Sequence, residues 1–342
     1  MDFTFTEDQL LFQESVRDFL VNEVTPERIR ASWETDTGRD RALWQQLAEL
    51  GLTGITVPEE HGGLGMNALD FVLLAQECGY VALPEPLVHT ALVAVPMLAD
   101  IGGELAAHWL PKLAAGEAIV VVGLAQNLVV EDAHMADLLL LQGGDELVAA
   151  TADQVVLQHN ESIDPSRKLY TVEVAAGATT IASGQQAAAL LADALNRGAL
   201  GCAAQALGLA QRMIDLTVKY TSERQQFGKP IGSFQAVKHH MANVAVRLEY
   251  AKAPTHRAAY ALAAGQDIAA QAVSHAKLVA CEAANLAAKN CHQAHGAMGY
   301  TWEVDLHIYM KKAWALANTW GDAGFHKSRV AIGRVSVGRV QL

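Results

Sequence analysis

From Gln185 onward the chain runs through long stretches rich in Ala and Leu with few helix breakers. No other feature constrains the fold as strongly. Alanine is the best helix former, and its short side chain lets helices approach closely. The pattern predicts helices over 185–223, 233–264, 267–295 and 303–339, with a break near Gly321 to Gly324. Helices this long bury their apolar faces against one another, so this part of the chain reads as a bundle. The most apolar stretch, Gln186 to Val218, is interrupted by Asp193, Asn196, Arg197, Arg212 and Asp215. It reads as buried helix rather than a membrane span.

The first third is helical as well. Thr6 stands where an N-cap would, with Gln9 three residues on in capping-box position. Leu10, Phe12, Val16, Phe19 and Leu20 then recur at roughly helical spacing. Further helices are expected from Asp40 to Leu50, with Gly51 as the stop, and from Asn67 to a point before Pro84 and Pro86. More helix follows through His89 to Leu98 and Gly103 to Leu113. The middle differs. Ile119 to Val122, Leu138 to Leu141, Leu147 to Ala149, Val155 to Leu157 and Leu169 to Val174 are β-type apolar runs. Gly143-Gly144-Asp145 punctuates them. The fold class is therefore mainly α with a small β-domain. Its division is 1–118 (N-terminal helical domain), 119–183 (small middle β-domain) and 184–342 (C-terminal helical bundle).

Several functions fit this sequence poorly. A net charge of -12 over 342 residues repels nucleic-acid phosphates. An apolar content of 51% against 18% charged residues is globular composition. Cys78, Cys202, Cys281 and Cys291 form no Cys-x-x-Cys pair and lie in apolar or helical stretches, so they read as reduced, buried thiols of a cytosolic protein. The sequence from Met1 shows no signal peptide. There is no Gly-x-Gly-x-x-Gly after a strand, no Walker loop and no Gly-x-Ser-x-Gly elbow. Cys291, His292 and His295 invite a zinc reading, but three ligands on adjacent turns without a second cluster are weak evidence. No metal site is expected. His239-His240 point in different directions on a helix.

Four stretches resemble the acyl-CoA dehydrogenase family, in the family's own order. Leu43 to Gly51 leads into Val57-Pro58-Glu59-Glu60-His61-Gly62-Gly63. Leu110 to Glu117 resembles the lead-in to the β-domain. Thr221 to Gly228, with Arg224-Gln225-Gln226-Phe227-Gly228-Lys229-Pro230-Ile231 at its heart, precedes Phe234 to His239. Gln293-Ala294-His295-Gly296-Ala297-Met298-Gly299-Tyr300-Thr301 resembles the flavin-contact loop. The last two are the most specific, and together the stretches span nearly the whole chain. The resemblance implies a flavin-dependent acyl-CoA dehydrogenase with FAD held at a subunit interface. It implies cofactor contacts from Arg224, Gln226, Phe227, Phe234, Gln235, Gln293, His295 and Gly296. Arg224 offers a forked, permanent cation for a pyrophosphate, and Phe227 an apolar face. Taken singly, Arg224 also reads as a helix C-terminal cation and Gly296 as a simple cap. An acyl-CoA substrate and an electron-transfer flavoprotein as acceptor are further implications.

The sequence departs from that family where the chemistry needs a base. The reaction removes an α-proton with a carboxylate. Counting from Gly299-Tyr300-Thr301, the usual Glu-Gly pair is Trp320-Gly321 here. The alternative base position on the first bundle helix is Gly198, with Ala199 where an Arg is usual and Arg197 one residue away. The Thr-Glu-Pro segment after Gly116-Glu117 is replaced by Val122 to Asn127. These losses imply a subunit of the α2β2 type, active with a paralogous chain that supplies the base, on a CoA thioester of a bulky or steroid side-chain acid. The catalytic residue of this chain itself is unassigned. Two alternatives stay open: a homomeric enzyme with a displaced base such as Asp322, behind it Glu303 and Asp305, or a non-redox scaffold of the same fold.

Overall fold

The computed structural model describes residues 4–175 and 177–337, with side chains described as far as residue 331. The chain folds as two compact units, each drawn from separated stretches. One takes the start of the chain through Pro26, Val72–Leu83 and the chain from Cys202 onward. The other takes Glu27–Phe71 and Pro84–Gly201.

The helices begin where the sequence places their caps. In α1 (Glu7–Glu23) the Thr6 hydroxyl accepts from Gln9 N while the Gln9 side chain accepts from Thr6 N, a closed capping box. Asp40 caps α3 (Arg41–Glu49) by accepting from Ala42 N and Leu43 N. Between them lies α2 (Pro26–Trp33), a short helix the periodicity did not signal. After α4 (Ala68–Tyr80), α5 (Leu87–His89) runs through a π turn (Thr90–Ala94) into α6 (Val95–Ile101), and α7 (Gly103–Ala114) follows. In the second unit, Leu43 and Leu47 of α3 are fully buried, and the Trp44 indole N–H donates to Gly116 O at 3.0 Å.

Two small sheets occupy the middle of the sequence. β1 (Val120–Gly123), β3 (Leu138–Gly143), β4 (Glu146–Ala150) and β7 (Thr179–Ser183) form one, in the order β1-β3-β4-β7. β2 (Val130–Glu131), β6 (Leu169–Val174) and β5 (Val155–Asn160) form the other. Only β1 and β3 pair in parallel; the remaining pairs are antiparallel. Val121, Leu139 and Leu141 of the first sheet share an apolar cluster with Val130, Val155, Leu157 and Val172 of the second. β2 and β7 went unseen in the sequence. β2 has two residues, and β7 is Thr-rich with little apolar alternation.

A buried ionic knot anchors this unit. The Arg39 guanidinium is paired with Asp132, lies 3.9 Å from Glu131, and donates to Ser166 O at 2.6 Å. Arg167 reaches Glu131 at 3.0 Å. Glu85, also buried, accepts from Asp40 N at 2.9 Å. Burial pushes the Glu85 carboxyl up from 4.5 to about 7, against the pull of Arg39. Burial likewise pushes Asp132 up to about 6.

The bundle follows. α8 (Gly184–Glu223) is one 40-residue helix; α9 (Gln235–Ala263), α10 (Ala269–His295), α11 (Leu306–Asn318) and α12 (Ala323–Val337) complete it. α9 packs along α10, and α10 also meets α11 and α12. Buried alanines, among them Ala276, Ala280, Ala284 and Ala287, keep these axes close. α4 and α8 approach to backbone contact. A Cβ at Gly208 would sit 1.9 Å from Gln76 O, and one at Gly79 2.1 Å from Gln205 O.

Two outcomes follow from this packing. Gly208→Ala should lower unfolding stability in a denaturant titration by about 3 kcal/mol or more, since backbone must move. Between pH 6 and 7 the folded state holds a Glu85 proton that the unfolded chain, with a carboxyl near 4.5, has released. Stability should therefore fall as pH rises through that window, then level off. Glu85→Gln, which can still accept from Asp40 N, should flatten the fall.

Candidate functional site: the α8–α9 hairpin and the end of α10

Arg224 sits just past the end of α8, its N–H still donating to Tyr220 O at 2.9 Å. The chain then makes a two-stranded hairpin, β8 (Gln225–Gln226) with β9 (Lys229–Pro230), closed by Ile231 N donating to Arg224 O at 2.8 Å. Its turn residues Phe227 and Gly228 both have positive φ, 57° and 78°. Such a turn matches the twist of the two strands. Phenylalanine rarely adopts this conformation. Phe227 is nonetheless held there with its ring 90% exposed. Its partner within the chain is Phe234, edge-on at 6.1 Å, and Lys229 lies over the Phe234 ring at 4.5 Å. Arg224, Gln226 and Gln235 are exposed, and Phe234 is half-buried at the start of α9. Beneath the hairpin is a concavity of about 470 Å³ whose lining includes Thr221, Gly232, Val237 and Lys238.

At the end of α10 the predicted residues divide. Gln293 and Gly296 are exposed. Gly296 has φ 58° and ψ -136°, a conformation open to glycine alone, and among the described residues beyond its chain neighbours no heavy atom lies within 4 Å of where its Cβ would be. His295 is buried instead. Its ring stacks on Tyr220 at 4.4 Å, and its Nδ1–H donates to Cys291 O at 2.8 Å. Burial holds its pKa below the usual range. Tyr220 is thus the residue that sequence reasoning missed. It lies one turn before Arg224 and against the residue before Gly296, so it brings the two helix ends together. Its spacing of four from Arg224 was the available signal. Among the described residues no group of His, Cys, Asp and Glu is arranged to hold a metal ion. None of the described helices is long and apolar enough to cross a membrane. The four cysteines are buried and form no disulfide.

The turn between α11 and α12 is held by buried hydrogen bonds. Trp320 is buried with φ 58°, followed by Gly321 with φ 95°. His326, fully buried, donates from Nε2 to Trp320 O at 2.9 Å and meets Ser274 Oγ with Nδ1 at 3.1 Å. The buried Lys277 ammonium donates to Leu316 O at 2.5 Å. Asp322 is exposed, and its Oδ1 accepts from Phe325 N at 2.8 Å, capping α12. Glu303 is exposed, while Asp305 starts α11 without a side-chain cap. On α8, Gly198 is buried, and Arg197 pairs with Asp193 four residues earlier.

Comparison with known proteins agrees with this architecture. Residues 6–117 match the acyl-CoA dehydrogenase N-terminal domain and 188–333 the acyl-CoA dehydrogenase C-terminal domain. Acyl-CoA dehydrogenase IpdE2 of Mycolicibacterium smegmatis is 33% identical over 320 residues, covering 92% of this chain and 95% of that protein. The chain belongs to the acyl-CoA dehydrogenase family. IpdE2 of Mycobacterium tuberculosis is also 33% identical, over 90% of this chain and 91% of its own. Among solved structures, the Tcur3481-Tcur3483 steroid ACAD G363A variant superposes with a TM-score of 0.86 at 25% identity, covering 98% and 99% of the two chains. The ChsE4-ChsE5 complex from Mycobacterium tuberculosis has the same fold, with a TM-score of 0.87 at 23% identity over the whole of both chains.

Acyl-CoA dehydrogenases use FAD, and the residues present suit its polar half. Arg224 is an exposed forked cation, Phe227 an exposed aromatic face, and Gly296 a backbone open to close approach. The Trp320-Gly321 pair of the turn carries no carboxylate. Asp322 is committed to capping α12 from an exposed position. Asp322→Ala should lower stability by about 1 kcal/mol, while Asp322→Asn, which can still cap, should leave melting and any turnover unchanged. Thermal melts and steady-state assays of the two variants check this.

Proposed function

We propose that this acyl-CoA dehydrogenase chain is the FAD-binding, base-lacking subunit of a heteromeric enzyme. The observation that carries the reading is Trp320, buried and backbone-locked at the position where the family's base is expected. Gly198, at the alternative position, has no side chain to offer. In this reading a paralogous subunit's carboxylate takes the α-proton of the CoA thioester. FAD, when bound, supplies the acceptor for the β-hydride.

The chain's own residues bind and orient. Arg224 would hold the pyrophosphate through its forked, permanently charged guanidinium. Gln226 and Gln235 add neutral hydrogen bonds, and Phe227 with Phe234 gives an apolar edge to the rings. Gln293 and Gly296, at the end of α10, would approach the adenosine half of a flavin held by a neighbouring subunit, and His295 sets the angle of that end through its stack on Tyr220. The division at 118/119 and 183/184 belongs to the same proposal, with the bundle holding the flavin contacts. The steroid ACAD likeness supports a bulky acyl group, and the family supports an electron-transfer flavoprotein as acceptor. The homomeric alternative is weakened by Asp322, whose carboxylate already has a structural task.

Co-expression with a full-length paralogue tests this. The pair should co-purify with one FAD for two chains, and an acyl-CoA should bleach the flavin anaerobically only when both are present. Robust turnover by this chain alone would overturn the proposal. Arg224→Ala should weaken FAD retention in the pair by about tenfold or more, with Arg224→Lys recovering part of it, because a charge-assisted pair contributes roughly 1.5–3 kcal/mol.

A further inference from the structure

A cavity of about 220 Å³ lies among α10, α11 and α12. Lys277, Cys281 and Glu282 line it from α10, and Trp314, Asn318 and Asp322 from α11 and the turn beyond. None of the predicted flavin contacts lines it. Lys277 is only 2% exposed, yet among the described residues no carboxylate pairs with its ammonium. Its partners are Leu316 O at 2.5 Å and Cys281 Sγ at 3.4 Å. A buried ammonium held by neutral groups alone costs solvation free energy that a carboxylate would offset. The carbonyl contact has a structural use, since a cation near the last carbonyls of a helix is stabilising. That use does not account for the thiol.

Lys277 and Cys281 stand four residues apart on α10, so helix geometry makes the two side chains neighbours. Cys281 is the one cysteine that lines a described cavity. Cys78 and Cys291 are fully buried, and burial pushes their thiols up to about 12 and about 11. Buried thiols of that kind are inert.

We propose that Cys281 and Lys277 form a peroxide-responsive modification site, in which oxidation joins Sγ to Nζ as a sulfenamide. Hydrogen peroxide, little larger than water, enters the cavity. The Cys281 sulfur attacks one peroxide oxygen. An S–O bond forms, the O–O bond breaks, and the leaving hydroxide departs as water with the thiol proton, which leaves a sulfenic acid. A sulfenic acid condenses with a nearby nitrogen. Lys277, after giving one proton to solvent, attacks that sulfur. The N–S bond forms, the S–O bond breaks, and hydroxide leaves as water with an amine proton. Sulfur loses two electrons and the peroxide gains them. In sum, a thiol, an ammonium and hydrogen peroxide give a sulfenamide, two waters and a proton. The crosslink takes the positive charge off Lys277 and draws Nζ toward Sγ, which weakens its hold on Leu316 O. The site works independently of which subunit supplies the catalytic base.

Peroxide treatment of the folded full chain, followed by trypsin and mass spectrometry, tests this. The peptide 258–289 contains Cys281 as its one cysteine and Lys277 as its one internal lysine. After peroxide, trypsin should fail to cut at Lys277, and the uncut peptide should be about 2 Da lighter than its sequence mass. Dithiothreitol should restore both the mass and the cleavage. The melting temperature should fall on oxidation and recover with dithiothreitol. Lys277→Arg keeps the cation but removes the amine, so its Cys281 should stop at the sulfenic acid and be labelled by dimedone; the natural chain should resist the label once crosslinked. Unchanged cleavage at Lys277 after peroxide, or equal dimedone labelling of the natural and Lys277→Arg chains, overturns the proposal. The cleavage readout needs no variant, so it decides the matter even where Lys277→Arg fails to fold.

Discussion

The crossing of α4 and α8 at Gly79 and Gly208 is the constraint on which the bundle's geometry rests. With backbone against backbone, the helices can neither slide nor rotate without a clash. That fixes the side chains on either side of the contact. Tyr80, one residue past Gly79, donates its hydroxyl to Asp215 at 2.8 Å, and Arg212 lies 5.2 Å above its ring. Arg17 of α1 covers the same ring at 4.1 Å and pairs with the buried Glu77. Lys312 of α11 reaches Leu83 O at 2.6 Å, just past the end of α4. Apolar contact alone is non-directional. These polar contacts give each helix one register, and α8 then delivers Tyr220 and Arg224 at a set angle.

The second unit solves a different problem. Its sheets are small and their shared core is modest, so connecting segments need their own anchors. Arg39 provides one by drawing Asp132, Glu131 and the Ser166 carbonyl to a single guanidinium. The arrangement places carboxylates at a cost in solvation, visible in the raised pKa values of Glu85 and Asp132. Such a knot specifies one arrangement of loops, though replacing it with apolar residues would not necessarily weaken the unit.

Much of this was legible in the sequence because helix signals are local. The Thr6–Gln9 box, the Asp40 cap and the Ala-rich runs placed most helix starts within three residues of where they lie. The strands with apolar runs were equally plain. What escaped had no local signal. α2 is too short for periodicity, β2 and β7 depend on partners far along the chain, and the Arg39 knot joins residues about ninety positions apart. Of the site, the hairpin and the Gly296 loop were readable as motifs. The Tyr220–His295 stack was not, because it depends on how α8 and α10 pack.

Phe227 and Trp320 make the functional argument in miniature. Both are aromatic residues held at nearly the same left-handed φ, 57° and 58°, each followed by a glycine that is also left-handed. The conformation alone therefore cannot say what either is for; burial does. Phe227 projects from a hairpin with 90% of its surface free. Trp320 has only 7% free and is clamped by a buried histidine. The same local strain thus serves opposite ends. One aromatic is offered outward, at the tip of the segment that carries Arg224. The other is driven inward, into the turn between α11 and α12, where a buried histidine holds its carbonyl.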